Sequence, residues 1–158
     1  MDPNSFKSNE CLFHTLYRFS IPVEYGANCS LFRQGDHPTG LYLVCQGEAS
    51  LVMFSSVESI IGSFSAGPGS ILGLPAVVSK ESYTLSAIVR KGSVIRFVDM
   101  TDFENILAKD PTLYPSVLSL LAAEVRAARA LLSGSAKGIS PFTMVSQYTV
   151  TEMQGKVH

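Results

Sequence analysis

Between Phe32 and Leu51 short apolar runs alternate with turns built from Gly, Asp and Pro, and that punctuation is what most limits the fold. The run 41–46 is preceded by Gly35-Asp36-His37-Pro38 and followed by Gly47-Glu48, after which 49–54 resumes the apolar texture. Glycine takes positive φ without steric cost, so Gly47 suits a tight reversal between two antiparallel strands. Further runs at 59–64, 84–90 and 94–98 repeat the pattern with no long helix between them. Parallel strands require crossover connections of about a dozen residues or more, usually helical. The spacing therefore predicts a mainly β fold over residues 23–99, a sandwich, jelly roll or barrel, with α-helices flanking it.

The flanks carry helical signals. Leu12, Phe13, Leu16, Tyr17 and Phe19 lie near helical spacing within 7–19, which predicts a lead-in helix ending before Pro22 and a lead-in segment of 1–22. At Thr101-Asp102-Phe103-Glu104 a capping box is expected to open a helix that stops before Asp110-Pro111. A longer helix then runs from Pro111 to Leu132, with Gly134 as its stop signal. On it Tyr114, Leu118, Leu121, Val125, Ala128 and Leu132 repeat at spacings of 4, 3, 4, 3 and 4, a seam suited to pairing with a second helix. A second row, Leu113, Val117 and Leu120, points elsewhere and suits packing on the barrel. The helices are expected over 101–132, and 133–158 reads as linker and tail, with 142–151 weakly alternating as one strand or a disordered end.

Composition narrows the class. The 158 residues are 46% hydrophobic and 16% charged with a net charge of −1, enough apolar mass for one core and no bulk positive field for coating nucleic acid. Cys11, Cys29 and Cys45 are odd in number and lack CxxC spacing, which suits reduced thiols in a cytoplasmic protein. The polar N-terminus has no apolar signal region, and Glu124 and Arg126 interrupt the apolar run at 118–123, so neither secretion nor a membrane span is expected.

The ordered set Arg33-x-Gly35-Asp36-x4-Leu41-Tyr42-x-Val44-x2-Gly47-x3-Leu51, continued by Pro68-Gly69-Ser70-Ile71-Leu72-Gly73, resembles the cyclic-nucleotide-binding domain of the Crp/Fnr, catabolite activator protein-like, regulators. The resemblance extends over about residues 20–132, giving a domain at 23–132. It implies a double-stranded β-helix (jelly-roll) barrel of cyclic-nucleotide-binding-domain type with a C-terminal dimerisation helix, a homodimer formed through the seam, and a role in signal transduction and transcription regulation. The winged helix-turn-helix that usually follows in this family needs about 50 residues, and 133–158 leaves no room for one. No direct nucleic acid binding is therefore expected.

By the same resemblance the effector pocket falls on Gly73, Leu74, Pro75, Ala76, Leu85, Ser86, Ala87, Glu124 and Ala128. Nucleotide-binding members hold a phosphate at the backbone amides of a short helix, with a Glu after the glycine for the ribose and an Arg before the Ser/Thr-Ala pair for the phosphate. Here Leu74 stands at the Glu position and Leu85 at the Arg position. Arg–phosphate hydrogen bonds contribute about 1.5–3 kcal/mol, so cyclic AMP and cyclic GMP are not the expected effectors. Tyr83, Thr84 or Ser86 could donate if the register shifts, and Arg90 is the nearest cation in sequence. Glu124 and Ala128 occupy base-contacting positions. His14, His37 and His158 are scattered, Arg126 and Arg129 suit a solvated face, and no catalytic or metal-spaced set stands out, so no enzyme is expected. The small effector is not identified by the sequence, no cofactor is certain, and a haem held by a Cys–His pair stays open. Two readings remain open: a sensor of an altered effector, or a ligand-free dimeric protein-interaction scaffold, such as a partner of a full-length transcriptional regulator.

Overall fold

The computed structural model describes residues 3–25, 29–57 and 59–133, with side-chain surroundings from residue 10 onward. The tail strand expected within 142–151 lies outside the described residues. Helix α1 spans Pro3–Arg18, and eight strands follow: β1 Ile21–Pro22, β2 Cys29–Phe32, β3 Gly40–Gln46, β4 Ala49–Phe54, β5 Ile60–Ala66, β6 Ile71–Leu72, β7 Ser86–Val89 and β8 Val94–Asp99. A short helix α2, Leu74–Ser79, sits between β6 and β7. After β8 come α3, Met100–Lys109, a 3-10 turn, Pro111–Leu113, and α4, Tyr114–Ser133.

The strands form two four-stranded antiparallel sheets, ordered β1-β8-β3-β6 and β2-β7-β4-β5, which face each other as a jelly roll. The β3–β4 reversal turns at Gly47, whose φ of 79° and close approach to Ser93 exclude a side chain. Alternation along each strand then partitions the interior. On β4, Ala49, Leu51 and Met53 point into the barrel, where they meet Val44, Leu72 and Ile95 of the first sheet and Ala87 and Val89 of β7. On β3, Leu41 and Leu43 point the other way, into a second core with Leu12 and Leu16 of α1, Phe103 and Ile106 of α3, and Val117 of α4. The first sheet is thus buried on both faces, by the barrel on one side and by the helices on the other.

Three expectations need correction at the helix starts. The Thr101-Glu104 capping box does not form. Asp99, in extended conformation at the end of β8, is the N-cap, and its carboxylate accepts the Thr101 amide at 2.8 Å, so the helix begins one residue earlier. The long helix opens with a 3-10 turn capped by Asp110, and α-helical geometry begins only at Tyr114. The lead-in helix also starts earlier than its apolar pattern, at Pro3. A clamp ties its end to the sheet: Arg96 donates to the Ser20 hydroxyl at 2.6 Å and carbonyl at 2.9 Å, and its guanidinium lies 4.5 Å above the Tyr17 ring.

Candidate functional site

Gly73 is the hinge of the site. It ends β6 and caps α2 with φ of 88° and ψ of 6°, a left-handed conformation that the following Leu74-Pro75 uses to enter the helix. A Cβ at this position would lie 3.0 Å from Cε1 of Tyr83, 3.4 Å from the Gly40 carbonyl and 3.7 Å from Cε1 of Phe32. The room that the glycine leaves is taken by the Tyr83 ring.

Tyr83 is fixed from several sides. Its backbone exchanges hydrogen bonds with the 35–36 turn: the Gly35 amide donates to the Tyr83 carbonyl at 2.8 Å, and the Tyr83 amide donates to the Asp36 carbonyl at 2.9 Å. Its hydroxyl donates to the Gly40 carbonyl at 3.0 Å and accepts from the Thr39 amide at 3.4 Å. Its ring stacks on Phe32 with centroids 4.0 Å apart and planes 16° from parallel. Phe32 in turn meets Tyr42, and Tyr42 meets Phe97, so a run of aromatic rings lines this end of the barrel. Burial, and next to it the Tyr83 ring, push the Tyr42 hydroxyl pKa upward.

The residues assigned to the pocket by sequence separate in space. Leu85, Ala87 and Ala76 belong to the barrel core, and Ala128 of α4 packs against it. Leu74 is fully buried in the other core, among Leu12, Leu16, Leu41 and Val77. Pro75 is half-buried. Ser86 is buried, and its hydroxyl accepts the Gln34 amide at 2.9 Å. Thr84 is exposed, and Arg90 pairs with Glu48 at 2.9 Å on the surface.

Glu124 lies half-buried on α4 in the same row as Val117 and Leu131, which pack on the helix-side and barrel cores. Desolvation pushes its carboxyl pKa up to about 7. Of the seam positions, Tyr114, Leu118, Val125 and Leu132 are exposed, whereas Leu121 packs against the helix-side core. Leu113 and Val117 are buried in that core and Leu120 packs against it, so the second apolar row of α4 faces its own domain.

Sequence reasoning named Tyr83 only as a hydrogen-bond donor and passed over Phe32. No local pattern marked it, because Tyr83 and Leu85 both precede β7, where strand alternation does not yet apply.

Among the described residues no helix is long and apolar enough to cross a membrane, and no group of three or more His, Cys, Asp or Glu is placed to hold a metal ion. The family model for the cyclic nucleotide-binding domain matches residues 22–110. No curated protein sequence matches the chain. Among solved structures, the Thermus thermophilus catabolite activator protein is 19% identical with a TM-score of 0.66, covering 86% of this chain and 61% of its own. A Thermotoga maritima transcriptional regulator is 15% identical with a TM-score of 0.63, covering 75% of this chain and 93% of its own. The regulatory domain of Toxoplasma gondii PKA, solved with cAMP, is 17% identical with a TM-score of 0.60, covering 78% of this chain and 48% of its own. The chain thus spans about three fifths of the catabolite activator protein's length.

Proposed function

This chain belongs to the cyclic nucleotide-binding domain family, and we propose that it is a regulatory sensor module of Crp/Fnr type whose effector pocket has exchanged its nucleotide anchors for an apolar lining. The observation that carries this reading is the Tyr83 ring at Gly73. It stands in the space the glycine leaves, stacked on Phe32, with Leu85 buried in the barrel core nearby in sequence. A cyclic phosphate brought to this helix start would meet an aromatic face and a leucine in place of a guanidinium. An uncharged or weakly polar effector fits such a lining better, because desolvating an anion without a charged partner is strongly unfavourable.

Signal output is assigned to α4. The helix packs one apolar row on its own domain and leaves Tyr114, Leu118, Val125 and Leu132 exposed, which supports a homodimer formed through that row. Because Ala128 and Leu131 pack on the barrel core, a change of packing there displaces the pairing helix. The second reading, a dimeric interaction scaffold without an effector, is favoured by the same exposed row together with the filled barrel end. Calorimetric titration of the full chain with cyclic AMP, cyclic GMP and a panel of apolar metabolites tests the proposal. Absence of nucleotide binding with saturable binding of an apolar compound supports the sensor; micromolar cyclic AMP affinity refutes the altered pocket; no binding from any compound favours the scaffold.

A further inference from the structure

The charged side chains of α4 are Glu124, Arg126 and Arg129, and two of them flank the row that the helix leaves exposed. Heptad lettering of that row puts Leu118, Val125 and Leu132 at position a, with Tyr114, Leu121 and Ala128 at position d. Glu124 then occupies position g, and Arg129 position e of the next heptad, on opposite flanks of the seam. Arg126 falls at b, outside it. The neighbouring flank positions, Val117, Ala122 and Leu131, are apolar.

Glu124 is half-buried between the seam and its own domain, and Arg129 is exposed. Neither side chain makes a hydrogen bond or an ion pair within the chain; the ion pairs among the described residues are Lys80–Glu104 and Arg90–Glu48. Residues five apart on a helix point about 140° away from each other, so the two cannot meet on one helix. Burial pushes the Glu124 carboxyl up, and no cation holds it down. A carboxylate drawn out of water without a counter-charge is unfavourable. The helix therefore presents an acid and a base, each without a partner, at two positions that a paired helix brings together.

Orientation decides whether they meet. In a parallel pair, position g of one helix faces position e of the following heptad in the other, so Glu124 meets Arg129 of the second copy on each side of the two-fold axis. In an antiparallel pair g faces g and e faces e. Carboxylate then opposes carboxylate and guanidinium opposes guanidinium.

We propose that Glu124 of one copy pairs with Arg129 of a second copy, and that this pair, repeated by the two-fold axis, fixes the α4 seam as parallel and in register. The inference rests on the homodimer read from the exposed row and adds its orientation, its register and the charges that select it. A second copy of this chain is the occupant because the same helix face carries both members of the pair. The behaviour of Glu124 as a lone carboxyl belongs to the separated chain, and its counter-charge arrives with pairing.

The test is sedimentation of the full-length chain and of two charge reversals. Arg129→Glu sets carboxylate against carboxylate and Glu124→Lys sets cation against cation, so either variant alone should dimerise at least about tenfold more weakly than the unsubstituted chain. In their equimolar mixture opposite charges face each other again, and a heterodimer should form with a constant within about threefold of the unsubstituted homodimer. Where circular dichroism shows Glu124→Lys unfolded, Glu124→Gln and Arg129→Gln take its place. Each should weaken pairing, and the double variant should be no weaker than the weaker single one, because the two groups act as a unit. Disulfides read the orientation, mapped by peptide because Cys11, Cys29 and Cys45 are also present. Leu118→Cys and Leu132→Cys should each link to the same residue of the second copy. Antiparallel pairing about Val125 would instead give 118–132 products in a mixture, since these positions lie about 21 Å apart along the helix. A dimer that Arg129→Glu leaves unchanged, a mixture no tighter than its components, or a 118–132 disulfide overturns the proposal and leaves the homodimer standing. An unsubstituted chain that stays monomeric at tens of micromolar, roughly the working concentration for a stable dimer, overturns both.

Discussion

Phe32 and Tyr83 stack with ring centroids 4.0 Å apart at the one glycine of the barrel whose backbone opens α2. The pair joins β2 to the segment before β7 and settles which side chains line this end of the barrel. A glycine that leaves room for a ligand and a glycine that leaves room for a tyrosine look the same in a motif. Their mutational consequences differ.

Gly73→Ala should destabilise the chain by about 2 kcal/mol, because left-handed geometry alone penalises a Cβ by about 1–2 kcal/mol and the Tyr83 ring sits 3.0 Å from where it would go. Gly69→Ala, with a φ of 90° and open space around it, should show the conformational part only. Urea denaturation of both variants checks the difference; equal losses would mean that the Tyr83 contact adds nothing.

The two anchor positions should respond unequally to restored polar groups. Leu74→Glu places a carboxylate among Leu12, Leu16 and Leu41 and should lower stability by about 3 kcal/mol or more without creating nucleotide affinity. Leu85→Arg lies on the barrel side and should be partly rescued by cyclic AMP. Thermal shift with and without nucleotide measures this, and rescue of Leu74→Glu instead would place the ligand on the other side of the sheet.

Glu124 should make stability depend on pH. Its folded carboxyl is raised to about 7 by burial, so between about pH 4.5 and 7 the folded chain binds a proton that the unfolded chain has released. Stability from this group is complete below about pH 4.5 and is lost as pH rises through about 7. Glu124→Gln should flatten that segment of the profile. Denaturation midpoints at intervals from pH 4.5 to 8.5 read it, and an unchanged slope in the glutamine variant would assign the dependence elsewhere.

Leu118→Asp with Val125→Asp should abolish the proposed α4 pairing and leave the fold intact, because both side chains are exposed and neither belongs to a core. Leu121 is unsuited to this test, since it packs against the helix-side core. Light scattering at tens of micromolar, a rough working concentration for a stable dimer, should give twice the chain mass for the unsubstituted protein and the chain mass for the variant. A monomeric unsubstituted chain would end the α4 pairing proposal.

The hairpin and the helices were legible because their signals are local. Gly47 and the apolar runs around it fix β3 and β4, and the expected 49–54 matches Ala49–Phe54. Strands Ile21–Pro22 and Ile71–Leu72 are two residues long, too short to carry a period, and exist only because β8 and β3 pair with them. Asp99 took the cap from Thr101 because the preceding strand delivered it in extended conformation at the helix start. Leu74 reads as a pocket residue from its neighbour Gly73, yet its side chain follows the first turn of α2 into the helix layer, a direction set by tertiary packing. The Tyr83–Phe32 stack joins residues far apart in the chain, and no local pattern announces it.

Strand β3 carries the barrel on Val44 and the helices on Leu43, two adjacent residues with opposite neighbours. Close-packed interiors transmit displacement instead of absorbing it, so β3 works as a stiff diaphragm between two chambers. A shift that suits one chamber is felt as misfit in the other, and substitutions on its opposite faces will not act independently. Side-chain packing in the barrel and placement of the helices are therefore two views of a single mechanical coordinate.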